Sequence, residues 1–502
     1  MLLRNSLKLF SVSRCITSRL ASRSYGISEE DIEKIKQYKE RVELENSDAL
    51  RKTYKMLKDE FSRYAKGDFS PPKSKISKYS EYVVIGGGIM GSSIAYSLKQ
   101  RAPDSFEVMV VERDPKYTRS STVLSVGGIR QQFSLPENIQ LSMYSAEFLR
   151  NIKQHLSVLD DDPPDIQFQP HGYLFLATED GAEQMLKNYN VQKELGAKVE
   201  LLQPYQLKEK FPWMSTEGIA LGSYGFENEG WFDPWALLNA FKKKACSLGA
   251  EYVNGEVIGF EFRNEHPIVD PTLDPLLRTN YMYIKDDEGE VHCVEFAFLI
   301  IAGGPFSSEV AKLLHIGTGP GMLSVPLPVE PRKRYVYVFN CETGPGIDMP
   351  LVIDPSGVYV RREGLGGKYI CGRSPSETEE PDVSNLEVDY NFFDSSVWPV
   401  IAKRIPHFEC IKPTKRIEVS SAWAGYYDYN TFDQNAIVGR HPYFPNVYLA
   451  TGFSGHGIQM APAVGRAMME LLIDKTYVTI DLTKFHFHRV FQDQPVYEQH
   501  IV

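Results

Sequence analysis

The sequence predicts a mixed α/β fold organised around a Rossmann-like dinucleotide-binding unit. Three observations predict it. A glycine fingerprint lies between a buried strand and a helix at 81–101, with an acid closing the next strand at Glu112. Two further segments, 298–314 and 447–472, also run from strand through glycine-rich turn to helix. Four short runs rich in β-branched and aromatic residues, 172–178, 334–339, 357–363 and 368–373, read as additional strands.

The chain ends and the bulk composition bound this reading. At 502 residues, with 42% hydrophobic and 24% charged residues, the chain is neither collagen-like, low-complexity nor mainly disordered. A net charge of -10 argues against a nucleic-acid binder held by electrostatics. The six cysteines form no CxxC pair, and the histidines show no metal spacing, so no zinc site or disulfide framework is indicated. Residues 1–28 hold five Lys or Arg, seven Ser and no acid. Leu2, Leu3, Leu9 and Phe10 share one helical face there, the pattern of a mitochondrial transit peptide. Residues 29–66 are charged and helix-prone, with Ser28, Glu29 and Glu30 as a helix start; the segment reads as a solvated extension or a docking arm. FSPPKSKISKYS at 69–80 reads as a linker, and the body begins at Glu81. The uncharged stretch 82–98 holds four glycines and falls short of the roughly 20 residues of a membrane span.

The fingerprint carries its own chemistry. EYVVI (81–85) is a buried parallel strand, Gly86-Gly87-Gly88-Ile89-Met90-Gly91 the turn, and SSIAYSLKQ the helix. Gly86 permits the tight turn, Gly88 lets backbone approach a pyrophosphate, and Gly91 lets helix and strand pack closely. The helix N-terminus presents free N–H groups and a positive dipole to phosphates. FEVMVV (106–111) leads to Glu112, 21 residues past Gly91, where a carboxylate accepts both ribose hydroxyls and repels a 2′-phosphate. That selects FAD or NAD over NADP. No third βα unit follows at once. Instead Ser120, Ser121 and Thr122 offer hydroxyls, Gly127 and Gly128 allow close approach, and the turns at 302–304 and 452–457 suit a long cofactor touched by distant parts of the chain, which favours FAD.

Together GGGIMG, VVERD, GGIRQQFS, GWFDPWALLNAF, NGEVIGF, IIAGGPFS and GFSGHGIQMAPAVGR resemble the glycine oxidase, sarcosine oxidase and dimethylglycine dehydrogenase family of FAD enzymes, related to D-amino-acid oxidase, over about 80–485. The resemblance implies a discontinuous FAD-binding domain (80–165, 230–315 and 415–480) interleaved with a mainly antiparallel-sheet substrate domain (166–229 and 316–414). RNEHPIVDPTLDPLLRTN (263–280) looks like an insertion. Segments 124–142, 328–339 and 421–439 are similar to a mitochondrial branch of the family implicated in respiratory complex I assembly. That likeness implies complex I subunits or assembly intermediates as partners and peripheral association with the matrix side of the inner membrane.

The resemblance also implies roles for residues. Gly86, Gly88, Gly91 and Glu112 match the pyrophosphate and ribose contacts; Ile89, Met90, Arg113, Ser121, Thr122, Gly127, Gly128, Ala302 and Gly303 are further cofactor-binding candidates; Val257 matches a residue framing the adenine through its backbone. Gly452, Phe453, Ser454, Gly455, His456, Gly457, Ile458 and Gln459 match the turn at the flavin ring, which can aim N–H groups at the pyrimidine end. Arg130 matches an Arg that holds a substrate carboxylate, though a structural salt bridge is the competing reading. Gln459 stands where a Lys shares that carboxylate. One of Arg361 and Arg362 should enter the pocket, and Arg362 is the candidate. Ile370 stands where oxidases carry an oxygen-activating Lys, which favours a dehydrogenase or no turnover. His456 is read as a turn residue bonding backbone rather than a base, and Trp231, Trp235 and Trp423 as packing residues. Neither 423–433 holds a Cys nor 120–128 a His, so the FAD is expected to be non-covalent. Two functions result: a dehydrogenase for a secondary or tertiary amino acid, or an FAD-bearing assembly factor with little turnover.

Overall fold

A computed structural model describes residues 28–46, 76–159, 161–265, 276–408 and 419–499. The transit-peptide expectation (all but Ser28), most of the linker, and 266–275 of the expected insertion lie outside the described residues.

The first sheet holds β1 (Tyr79–Ile85), β2 (Val108–Glu112), β8 (Glu251–Glu265), β9 (Leu276–Asp286), β10 (Val291–Ile301), β16 (Ile437–Arg440) and β17 (Val447–Thr451). Its centre is parallel: β2 lies between β1 and the start of β8, and the end of β10 lies between β1 and β17. Both faces are covered, so these strands are near-continuous apolar runs; Val83, Val84, Met109, Val110 and Ile300 are all fully buried. β8 and β10 overshoot the parallel region and join through β9 as an antiparallel meander. One face packs helices α2 (Ile89–Arg101), α3 (Pro136–Arg150), α5 (Pro234–Ser247) and α7 (Gly457–Ile473); the other packs α6 (Ser307–Leu313). A Cβ at Gly465 would lie 2.2 Å from Ser93 Oγ and 2.8 Å from its backbone, so this glycine lets α7 cross α2 closely.

The second sheet is β15-β11-β14-β13-β12-β4-β6-β5, comprising β4 (Tyr173–Ala177), β5 (Val199–Leu202), β6 (Leu221–Gly225), β11 (Val329–Asn340), β12 (Leu351–Ile353), β13 (Val358–Glu363), β14 (Lys368–Arg373) and β15 (Val419–Asn430). It is antiparallel except between β12 and β4. All four predicted strand runs lie in it. β3 (Gly128–Ile129) and β7 (Gly230–Trp231) form a separate two-stranded ribbon, and α4 (Glu179–Glu194) packs on a face of β4 and β6.

Three expectations need correction. The segment 415–480, expected in the FAD-binding domain, spans both sheets: β15 pairs along β11 of the second sheet from Val329↔Asn430 to Val338↔Ser421. Only the chain from Ile437 onward returns to the first sheet. The helix of the third strand–turn–helix segment is expected to start near Pro462, but α7 begins at Gly457; the bond lost and the ring crowding at its sixth residue are offset by burial of almost every residue from Ile458 to Leu472. Of the charged arm 29–66, residues 47–66 lie outside the described residues, and 29–46 are not simply solvated. Its helix α1 (Glu29–Asn46) docks on the meander, with Ile35 and Tyr38 against Ile258, Tyr283 and Val291. The body itself starts at Tyr79.

The C-terminal stretch is pinned by a buried ion pair. Arg489 Nε and Nη2 donate to Asp433 at 2.6 and 2.9 Å, and its remaining N–H groups reach the carbonyls of Phe485, His486, Asn435 and Ala436. A buried guanidinium this fully bonded is stable only with every partner present. No helix among the described residues is long and apolar enough to cross a membrane.

Candidate functional site

A cavity of about 1010 Å³ runs between the two sheets, at the upper end of the roughly 300–1,000 Å³ usual for ligand sites. Its walls come from β1, the turn after it, β8, β11, β13 and α7. At one end β1 delivers Gly86 at φ +106°, where a Cβ would meet Ala302 O at 2.3 Å. A Cβ on Gly91 would lie 1.9 Å from Gly86 O, so helix and turn touch through backbone alone. Gly88 differs. A Cβ there meets only Thr122 Oγ1 at 3.3 Å and Ser120 Oγ at 3.8 Å, and otherwise the cavity. As second and third residues of α2, Met90 and Gly91 have amides without an intrahelical acceptor; Ile89 N donates to Thr122 Oγ1 at 3.1 Å.

Ser121 Oγ is buried at this cavity with no hydrogen-bond partner. The bare glycine cradle, the open helix N-terminus and this orphaned hydroxyl fit a pyrophosphate. Glu112 does more than the sequence suggested. Its carboxylate accepts from Gly87 N and Asp114 N, each at 2.8 Å, tying the glycine turn to β2. Each oxygen keeps a second acceptor site for ribose. Burial pushes its pKa up, against those two backbone donors. Arg113 stacks on Phe306 at 4.3 Å and pairs with Glu256 and Glu309. Gly127, Gly128, Val257, Ala302 and Gly303 line the cavity.

At the other end, the turn 452–457 is held by a residue that sequence reasoning missed. Buried Asp428, on β15, accepts from Gly452 N at 2.8 Å and Phe453 N at 3.0 Å, and its carbonyl accepts from Ser454 N. Burial pushes its carboxyl up to about 6. His456 N bonds Phe453 O. The amides of Gly452, Phe453, Ser454 and His456 therefore serve the turn itself rather than the flavin. The donors left for the ring's pyrimidine end are Gly455 N and those of α7's first turn, Gly457, Ile458 and Gln459.

Arg130 follows β3 and faces the cavity beside this turn. Its guanidinium lies between the rings of Phe133 (4.5 Å) and Phe175 (4.8 Å), donates to Gln132 O at 3.0 Å, and sits 2.9 Å from His456 Nε2. Among the described residues no carboxylate lies within ion-pair distance of it; its side-chain bonds run to Gln132 O and His456. Burial lowers its pKa, with Tyr173, Glu498 and Glu229 opposing. Gln459 Oε1 accepts from Arg130 N at 2.8 Å, so Gln459 positions the arginine's backbone instead of sharing its ligand through that oxygen. His456, expected to bond backbone through its ring, bonds the guanidinium and packs edge-on to Phe133.

Arg362 is a wrong choice. It donates to the carbonyls of Pro345, Gly364 and Leu365, away from the cavity. Strand alternation puts Tyr359 and Arg361 on the other face: Tyr359 lines the cavity, and Arg361 donates to Val126 O at 3.0 Å and stacks on Trp231 at 5.2 Å. Arg361 thus braces the loop before Gly127. Ile370, opposite Arg361 on β14, packs with Val336 and Val338, so no cation stands at that position. Trp423 donates to Leu124 O, whereas Trp235 meets Tyr117 edge-on and remains exposed. Among the described residues no group of three or more His, Cys, Asp or Glu could hold a metal ion.

Beneath Arg130, fully buried Glu229 accepts from Gln131 N at 2.9 Å and Gln132 Nε2 at 2.8 Å. Burial pushes its pKa from the usual 4.5 up to about 7. The folded protein holds that proton more tightly than the unfolded chain, so the contribution to stability is complete below pH 4.5 and is lost as pH rises through 7. Glu229→Gln cannot titrate. The stability of this variant relative to wild type should therefore rise by about 3 kcal/mol between pH 4 and pH 8, read from denaturant midpoints across that range.

Comparison with known proteins fits this geometry. The model of a family described as DAO, FAD dependent oxidoreductase, matches residues 81–471. The chain is 54% identical over 441 residues to FAD-dependent oxidoreductase domain-containing protein 1 of Xenopus laevis, covering 86% of this chain and 87% of that one. It is 22% identical to monomeric sarcosine oxidase of Arthrobacter sp., covering 79% and 93%. Among solved structures, L-proline dehydrogenase from P. horikoshii superposes with a TM-score of 0.67 at 26% identity, covering 84% of this chain and all of that one.

Proposed function

We propose, from the premise that this chain belongs to the DAO family of FAD-dependent oxidoreductases, that it oxidises the CH–NH bond of a small secondary or tertiary amino acid and passes the electrons to an acceptor other than oxygen. The observation that carries this reading is Arg130: a desolvated guanidinium facing the cavity beside the flavin turn, with no ion-paired carboxylate among the described residues. A planar fork in that state suits a ligand carboxylate. FAD supplies a two-electron acceptor for hydride.

The chain's own groups set the geometry. Phe133 and Phe175 hold the guanidinium plane, and Gln459 fixes the backbone it hangs from. A carboxylate anchored there would bring the neighbouring C–H and amine toward the turn 452–457. Tyr173 and Tyr359 line the same region and offer hydroxyls to the amine side. His456 is engaged with Arg130, so the amine must arrive neutral rather than be deprotonated by that imidazole. Apolar Ile370 in place of a cation offers no stabilisation to superoxide, which supports a dehydrogenase. Anaerobic mixing with a panel of N-methyl amino acids and proline should bleach the flavin band near about 450 nm, a property of the bound cofactor. No bleaching with any member of the panel overturns the reading and leaves the assembly-factor role.

As part of the same proposal, the protein is imported into mitochondria, works at the matrix face of the inner membrane, and supports complex I assembly through contact with its subunits or intermediates. The acid-free, Arg- and Ser-rich start and the likeness of 124–142, 328–339 and 421–439 support this. The mature N-terminus, sequenced from isolated mitochondria, is expected about 25 residues in, where such a leader ends; an intact Met1 in matrix material overturns it.

A further inference from the structure

We infer that α1 is a cofactor latch: an N-terminal helix outside the family module that closes the adenine end of the cavity and slows FAD release. The family model begins at residue 81, whereas α1 spans Glu29–Asn46. The helix nevertheless returns to the body at one particular place. β8 runs beside β2 in the register Glu112↔Asn254, so Gly255, Glu256 and Val257 continue past the ribose-binding acid. That makes this end of the cavity the adenine end. Asp31, from the first turn of α1, lines the same cavity as Glu112, Gly255, Glu256 and Val257.

The docking is specific in its chemistry. Asp31 Oδ1 accepts from Lys285 Nζ at 2.7 Å, and both side chains are largely shielded, at 13% and 24% exposure. From there a belt of ion pairs crosses the mouth: Lys285 to Glu256 at 3.8 Å, Glu256 to Arg113 at 3.5 Å, and Arg113 to Glu309 at 3.6 Å. The belt links the arm, the meander, the loop after Glu112 and the helix after the second glycine turn. These are four separate stretches of chain around one opening. Apolar contacts seat the helix behind it: Ile35 and Tyr38 against Ile258 and Val291, with Tyr38 edge-on to Tyr283 at 6.3 Å. Lys39 lies 5.5 Å over the Tyr283 ring and 3.5 Å from Glu261. Nothing in the dinucleotide fold requires this helix, yet its innermost charged side chain is spent at the cofactor mouth.

A latch acts on the exit rate more than on entry, because it must open before a seated cofactor leaves. The inference depends only on FAD occupying the cavity, so it stands or falls separately from amine oxidation. The test is FAD release from the purified holoprotein, followed by the rise of free-flavin fluorescence after dilution. Asp31→Asn and Lys285→Gln should each speed release by about fivefold to tenfold, the range for losing a partly shielded pair. The double variant should release no faster than Lys285→Gln alone, since that single already breaks the Asp31 link as well as the one to Glu256. Undocking the whole helix with Ile35→Glu plus Tyr38→Glu should speed release at least as much while the thermal transition of the body persists. Glu33→Gln, which removes a solvent-side pair with Lys36, should change nothing. Salt should accelerate release from wild type and do so less in Asp31→Asn. Release at the wild-type rate from Asp31→Asn and from the undocked variant overturns the latch, as does a double variant whose effect is the product of the singles.

Discussion

Gly88→Val is expected to purify as a folded protein without flavin. A Cβ at Gly88 finds only Thr122 Oγ1 at 3.3 Å and Ser120 Oγ at 3.8 Å, both ends of side chains that can give by a few tenths of an ångström. The added methyls then stand in open cavity, in the space the pyrophosphate needs. FAD affinity should fall by at least about a hundredfold, equivalent to about 2.8 kcal/mol, and the variant should melt like wild type stripped of its cofactor. Gly91→Val behaves differently, because its Cβ would lie 1.9 Å from the backbone oxygen of Gly86. Neither chain can move without breaking the strand–turn–helix unit, so that variant should fail to fold. Absorbance at the flavin band relative to protein, together with a melting curve, reads both. Stoichiometric FAD in Gly88→Val overturns this placement of the cofactor.

Arg130→Met is expected to keep FAD and lose substrate. The guanidinium touches Phe133, Phe175, Gln132 and His456, while the glycine cradle and Glu112 lie at the far end of the cavity. Removing one partner of a shielded charge pair costs about 2–5 kcal/mol, so the second-order rate of flavin reduction by an active amino acid should fall by roughly 30- to several-thousand-fold. Arg130→Lys should recover part of it, since charge remains but the planar fork does not. The same variant separates the two functions. Where depletion of the protein impairs complex I assembly, as proposed, rescue by Arg130→Met assigns that role to binding and failure of rescue assigns it to turnover. Unchanged reduction kinetics in Arg130→Met would remove the basis for a carboxylate site.

The cofactor half of the site was legible because its geometry is local. Gly86, Gly88, Gly91 and Glu112 lie within 27 consecutive positions, and strand period, glycine spacing and the acid at the end of β2 define that unit without reference to the rest of the chain. The four strand runs were legible for the same reason: alternation is a property of neighbours two residues apart. Alternation also announced that one of Arg361 and Arg362 points inward. It could not say which, because that depends on which face of β13 the cavity occupies.

Asp428 went unread because a lone acid in a strand has no local signature. Its role exists only once β15 is laid beside β11 and the turn 452–457 folds over it, 24 residues away. Gln459 meets Arg130 across 329 residues, and α1 meets Lys285 across 254. The sequence by itself determined a dinucleotide fold, which follows from residue type and short-range spacing, while the FAD family and Arg130 as a carboxylate candidate came from the resemblance of its motifs. Only the tertiary structure decided whether that arginine is ion-paired, which amides remain for the flavin, and where the N-terminal arm docks. These are set by packing between segments far apart in the chain, where the partner of a hydrogen bond or charge is chosen by the whole fold.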